Sequence, residues 1–146
     1  MKPKRLSIII LVLLSLSSCT EIKDCCQLIE SDITATWQLF EQGYSPGSGY
    51  IVEEIPEVPL QTITLTHEGK FSSNISGLEG FDKYEILSDS LSDKSILAIY
   101  GMNTTEEEKD SLYYTIEMTD ENTMKLYFRF CIEGCHMAFK RLHIQE

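Results

Sequence analysis

The sequence predicts an all-β chain: a small eight-stranded antiparallel barrel of up-and-down connectivity. Three observations predict it. Apolar and polar residues alternate with period two, most clearly at 123–131 (TMKLYFRFC), where Met124, Leu126, Phe128 and Phe130 oppose Lys125, Tyr127 and Arg129. Turn-forming clusters separate these runs by short intervals. No long apolar stripe of helical period and no internal repeat occurs after residue 19. A meander of short strands leaves exposed edges unless the sheet closes on itself, so closure into a barrel is the expected solution.

The chain opens on a leader, residues 1–18. Lys2, Lys4 and Arg5 form a cationic head, residues 6–16 an apolar core, and Ser17 and Ser18 lead to Cys19. That core is too short to cross a bilayer of about 30 Å as a helix and reads as an export signal. The run Leu16-Ser17-Ser18-Cys19 resembles the bacterial lipobox, in which cleavage falls before the cysteine and acyl chains are attached to it. Cys19 is therefore the expected lipid attachment site, and the expected location is the cell envelope, at the outer membrane. Residues 19–32 form an acidic tether, and residues 33–146 the barrel domain.

Within the domain, residues 34–42 (TATWQLFEQ) are β-branched and aromatic at their centre and make a first strand around Trp37. Residues 43–49 (GYSPGSG) form a loop, and 50–55 a short edge strand stopped by Pro56 and Pro59. Residues 60–67 and 70–75 form a hairpin turned at Glu68-Gly69, with Gly69 supplying the positive φ of a tight turn. Residues 83–87 and 95–100 make two short strands. The polar segment 101–110, with Glu106, Glu107 and Glu108, is a loop. Residues 112–119 put Leu112, Tyr114, Ile116 and Met118 on one face, and the chain then turns into 123–131 and returns through 136–144.

Without the leader, nine Lys+Arg face 23 Asp+Glu, a net charge of −14. So anionic a chain lacks the clustered cations that nucleic acid requires, and it gains nothing from an anionic membrane surface. Attachment must come from lipid on Cys19. Two or three acyl chains hold firmly where one holds only marginally. The remaining cysteines are Cys25, Cys26, Cys131 and Cys135, an even number that suggests disulfides in an exported chain. Cys131-Ile132-Glu133-Gly134-Cys135 reads as a three-residue hairpin loop with a glycine bulge, which sets the two cysteines opposite each other. Pairing of this couple is favoured, and pairing with Cys25 and Cys26 remains open.

His67, His136 and His143 show no zinc-motif spacing and read as surface or hairpin-end residues. No nucleophile elbow, metal-binding helix or phosphate loop is present, so no enzyme, metal or cofactor is expected. Asp89-Ser90-Leu91 and Asp110-Ser111-Leu112 each resemble a three-residue O-glycosylation site used by Bacteroides-type bacteria.

Taken together, residues 33–39 (ITATWQL), 65–71 (LTHEGKF), 84–87 and 131–142 (CIEGCHMAFKRL) resemble the small lipocalin-like lipoproteins of Bacteroidota. The resemblance implies an eight-stranded barrel on a lipid anchor. It also implies that Trp37 of the first strand is packed by Arg141 of the last, although Ala35 stands where a lipocalin carries glycine. An eight-stranded barrel is either filled by side chains or holds one small molecule. The candidate lining of an apolar pocket is Trp37, Phe71, Tyr114 and Phe128, with Tyr114 as a polar handle. The expected function is binding of a small apolar ligand by a monomer. The alternative is a solid barrel that binds a protein partner through loops 43–49 and 101–110.

Overall fold

The computed structural model describes residues 33–101 and 111–143. The leader, Cys19, the tether with Cys25 and Cys26, and Glu106, Glu107 and Glu108 lie outside the described residues. Nine strands follow in order: β1 (Ala35–Tyr44), β2 (Ile51–Glu54), β3 (Thr62–Leu65), β4 (Phe71–Ser73), β5 (Lys83–Ser88), β6 (Ser95–Tyr100), β7 (Ser111–Asp120), β8 (Thr123–Phe128) and β9 (His136–Arg141). All pairs are antiparallel, in the order β4-β3-β1-β9-β8-β7-β6-β5, with β2 off this path beside β1. The two ends of the path meet at a single Lys70–Lys83 bridge. There Phe71 N donates to Asp82 O (2.8 Å) and Tyr84 N to Gly69 O (2.9 Å). The eight path strands thus form a nearly closed barrel.

β1 organises this wall. One side of it pairs with β9 from Trp37 to Gly43. The other side pairs first with β3, through Ala35–Gln38, and then with β2, through Glu41–Tyr44. A bulge between Leu39 and Glu41 divides the two halves, the irregularity that lets a long strand bend around a barrel. Across the gap, Leu39 N donates to Gln61 O and Ile55 N to Phe40 O, so the backbone stays satisfied there.

One side of the path strands fills the interior, as period-two alternation requires, whereas β2 is exposed along its length. Trp37, Leu39, Ile63, Leu65, Leu97, Ile99, Met124, Leu126 and Phe139 are all within 2 % of complete burial. Trp37 is fixed twice over: its indole N–H donates to Ile33 O (2.8 Å), and the Arg141 guanidinium lies 4.7 Å from its ring centroid. The packing implied by the resemblance is therefore present. At the β3–β4 turn Gly69 has φ +73°, the conformation expected of it.

Three expectations need correction. β1 runs two residues past 42, because Gly43 stays in the ladder, opposite Val52 on one side and His136 on the other. The 70–75 strand shrinks to Phe71–Ser73. Most consequentially, β8 stops at Phe128, where Cys131 N turns back to Phe128 O and Gly134 N to Cys131 O. Alternation lapses once the chain leaves the ladder, so Phe130 is 69 % exposed rather than inward-facing. The Cys131–Cys135 disulfide does form, with Cα atoms 5.6 Å apart, but it pinches the turn instead of crossing the ladder.

Candidate functional site

Above the filled centre, one end of the interior is open. A cavity of about 330 Å³ is lined by Gln42, Gly43 and Tyr44 of β1, Tyr114 of β7, Leu126 and Phe128 of β8, Cys135, and His136 and Met137 of β9. These positions converge through register: Tyr114 is the cross-strand partner of Phe128, and Leu126 that of Met137. The Tyr114 and Phe128 rings pack 5.5 Å apart. Among the described residues the Tyr114 hydroxyl has no hydrogen-bond partner, and burial pushes its phenol up to about 12. It is a neutral donor over any ordinary pH range, held against an apolar wall.

A polar cluster lies at the edge of this mouth, joined to it through His136. His136 is only 7 % exposed. Its Nε2 lies 2.8 Å from Glu41 Oε1, and its Nδ1 is hydrogen-bonded to the Tyr50 hydroxyl. Tyr50 also donates to Gly134 O (3.1 Å), and Lys125 Nζ lies 3.3 Å from the same Glu41 oxygen. The His136 hydrogen bond, opposed by burial and helped by Lys125, holds the Glu41 carboxyl below its usual range. Burial pushes the Tyr50 and Tyr127 phenols up. Tyr50 reaches His136 from beyond β2 by passing over Gly43. A Cβ at Gly43 would overlap the Tyr50 hydroxyl and the His136 ring.

Of the four lining residues named from sequence, Tyr114 and Phe128 come together in this cavity and the other two do not. Trp37 belongs to the solid centre. Phe71 lies at the barrel seam, in a separate cavity of about 360 Å³ with Thr66, Lys70, Ser72, Asp82 and Lys83. His136 stands at the hairpin end, as the first residue of β9, but is buried and doubly bonded there, whereas His67 and His143 are exposed. Sequence reasoning missed Gln42, Tyr44 and Met137 in the wall and Tyr50 and Glu41 outside it. The loop of residues 45–49, bracketed by Tyr44 and Tyr50, was the available signal. Ser90 is exposed at the turn after β5, while Ser111 is half-buried and hydrogen-bonds to the Tyr113 hydroxyl (3.3 Å), which makes it the poorer acceptor for a sugar.

Among the described residues no group of His, Cys, Asp and Glu is arranged to hold a metal ion, and no helix is long and apolar enough to cross a membrane. No family model, curated protein or solved structure matches the chain.

Proposed function

We propose that this chain is a non-catalytic, lipid-anchored barrel of the cell envelope that carries one small, uncharged and largely apolar molecule in the mouth beside Tyr114. The cavity carries this reading. Its volume lies at the low end of small-molecule sites, which are typically about 300–1,000 Å³ and apolar with a few polar groups. Apart from His136, already engaged by Glu41 and Tyr50, its lining holds no ionisable cation or carboxylate. A charged ligand would be buried there without a counter-charge, which is heavily penalised. The Tyr114 hydroxyl favours a ligand bearing one acceptor, such as a carbonyl or ether oxygen. Membrane attachment rests on Cys19 and the leader before it, and Cys19→Ser is expected to release the protein from the membrane fraction.

Native mass spectrometry of the mature chain, purified gently from its source, tests the binding. Extra mass that vanishes on denaturation is the expected result. Tyr114→Phe should then weaken the recovered molecule's binding by about tenfold, the worth of one hydrogen bond, and Phe128→Trp should block it by filling the space. Identical native and denatured masses would sink the reading in favour of a protein partner. Phe130 and the fully exposed Ile132, on the disulfide-pinned turn, are the surface that such a partner would meet first.

A further inference from the structure

We infer that the outer face of the mouth carries a proton-operated clasp, in which the imidazolium form of His136 holds Tyr50, and with it segment 45–50, against the β8–β9 turn. Three links run in series: Glu41 Oε1 to His136 Nε2, His136 Nδ1 to the Tyr50 hydroxyl, and Tyr50 to Gly134 O. Both ends of the series, a carboxylate and a backbone carbonyl, can only accept. Three links between two acceptors need three protons. A neutral imidazole and a phenol supply two, so one link must fail. The imidazolium supplies the third, and all three bonds form at once.

The surroundings suit that charge. From β1, Glu41 faces the ring as its counter-ion. From β8, Lys125 opposes the charge but shares the same carboxylate oxygen, and the Tyr127 ring lies 5.7 Å from the imidazole, within reach of a cation–π contact. On the last side, the Tyr50 ring stacks at 5.9 Å. Tyr50 is otherwise 47 % exposed, so few other contacts fix it.

The clasp joins two walls of the cavity. Tyr50 leads directly into Ile51, the cross-strand partner of the wall residue Tyr44, and Gly134 precedes the wall residue Cys135. Loss of the His136 proton removes one of the links that hold segment 45–50 to the turn and loosens that side of the mouth. The clasp stands on this geometry alone. Its consequence, release of a carried molecule as pH rises, rests on the reading proposed above.

Amide hydrogen exchange of the whole mature chain tests the clasp, at about pH 5.5 and about pH 8.5, which bracket the range in which histidines change charge, and with intrinsic rates corrected. Protection of residues 45–52 should fall by about tenfold at the higher pH, the worth of one hydrogen bond. The step should be absent in both His136→Gln and Tyr50→Phe, with unchanged fluorescence of buried Trp37 showing that each variant is folded. Equal protection at both pH values in the native protein would overturn the clasp, as would a step that survives His136→Gln. Native mass spectrometry at the same pH values separates the two claims. A molecule retained at both pH values while protection falls would overturn the coupling to release. A barrel that carries nothing would overturn the cavity reading, and the exchange step would still decide the clasp.

Discussion

Trp37→Ala is expected to destabilise the barrel by about 3–5 kcal/mol, the range for removing a large aromatic side chain from a packed core. Small domains are stable by only about 5–15 kcal/mol, so the variant would stand near the edge of folding. Three losses coincide at this position. The indole is completely buried, so its removal opens a cavity that the rigid wall of β1, β3 and β9 cannot collapse to fill. The Ile33 carbonyl loses its 2.8 Å donor in a buried setting. The Arg141 guanidinium, packed on the ring at 4.7 Å, loses the surface it lies on. Urea unfolding followed by circular dichroism measures the effect, because the substitution removes the only tryptophan. Arg141→Met separates the contributions: it keeps aliphatic cover over the ring and should cost about 0.5–2 kcal/mol, the range of a cation–π contact. A Trp37→Ala loss below that of Arg141→Met would mean that the ring is not central to the core.

The centre of the barrel was legible in the sequence because it obeys a local rule. Met124 and Leu126 on β8, and Ile63 and Leu65 on β3, point inward as their alternation says. Gly69 sits at positive φ because a tight turn demands it. The mouth was less legible because it depends on departures from the same rule. The bulge between Leu39 and Glu41 moves the wall-lining positions of β1 from the odd residues Trp37 and Leu39 to the even residues Gln42 and Tyr44. Nothing in the local composition marks that shift. At the other side of the mouth, the pattern of 123–131 extends smoothly to Phe130, yet the turn at Phe128 takes Phe130 out into solvent. The burial of His136 is less local still. By alternation it faces outward, and part of its cover comes from Tyr50, 86 positions away in the chain, which crosses over a glycine to reach it.

That crossing makes Gly43→Val the sharpest test of the mouth. In an ordinary strand, valine in place of glycine is favourable by up to about 1 kcal/mol, since a β-branched side chain suits the pleated backbone and glycine costs conformational entropy. At Gly43 the sign is expected to reverse. A new Cβ would occupy the space held by the Tyr50 hydroxyl and the His136 ring, and the γ-methyl groups would add to the overlap. Neither neighbour yields cheaply. The ring is pinned at Nε2 by Glu41, and Tyr50 can withdraw only by giving up its bonds to both His136 and Gly134. Overpacking of this kind costs about 1–3 kcal/mol; less the strand-propensity gain, net destabilisation of up to about 2 kcal/mol should appear as a lower urea midpoint by Trp37 fluorescence. Removing the obstacle should restore the ordinary sign. In a Tyr50→Ala background the valine has room beside the ring, and the cost of Gly43→Val should shrink by at least about 1 kcal/mol, a coupling typical of residues in direct contact. Stabilisation by Gly43→Val in the native background would show instead that Tyr50 does not lie across β1, and the coupling between the two sides of the mouth would fall with it.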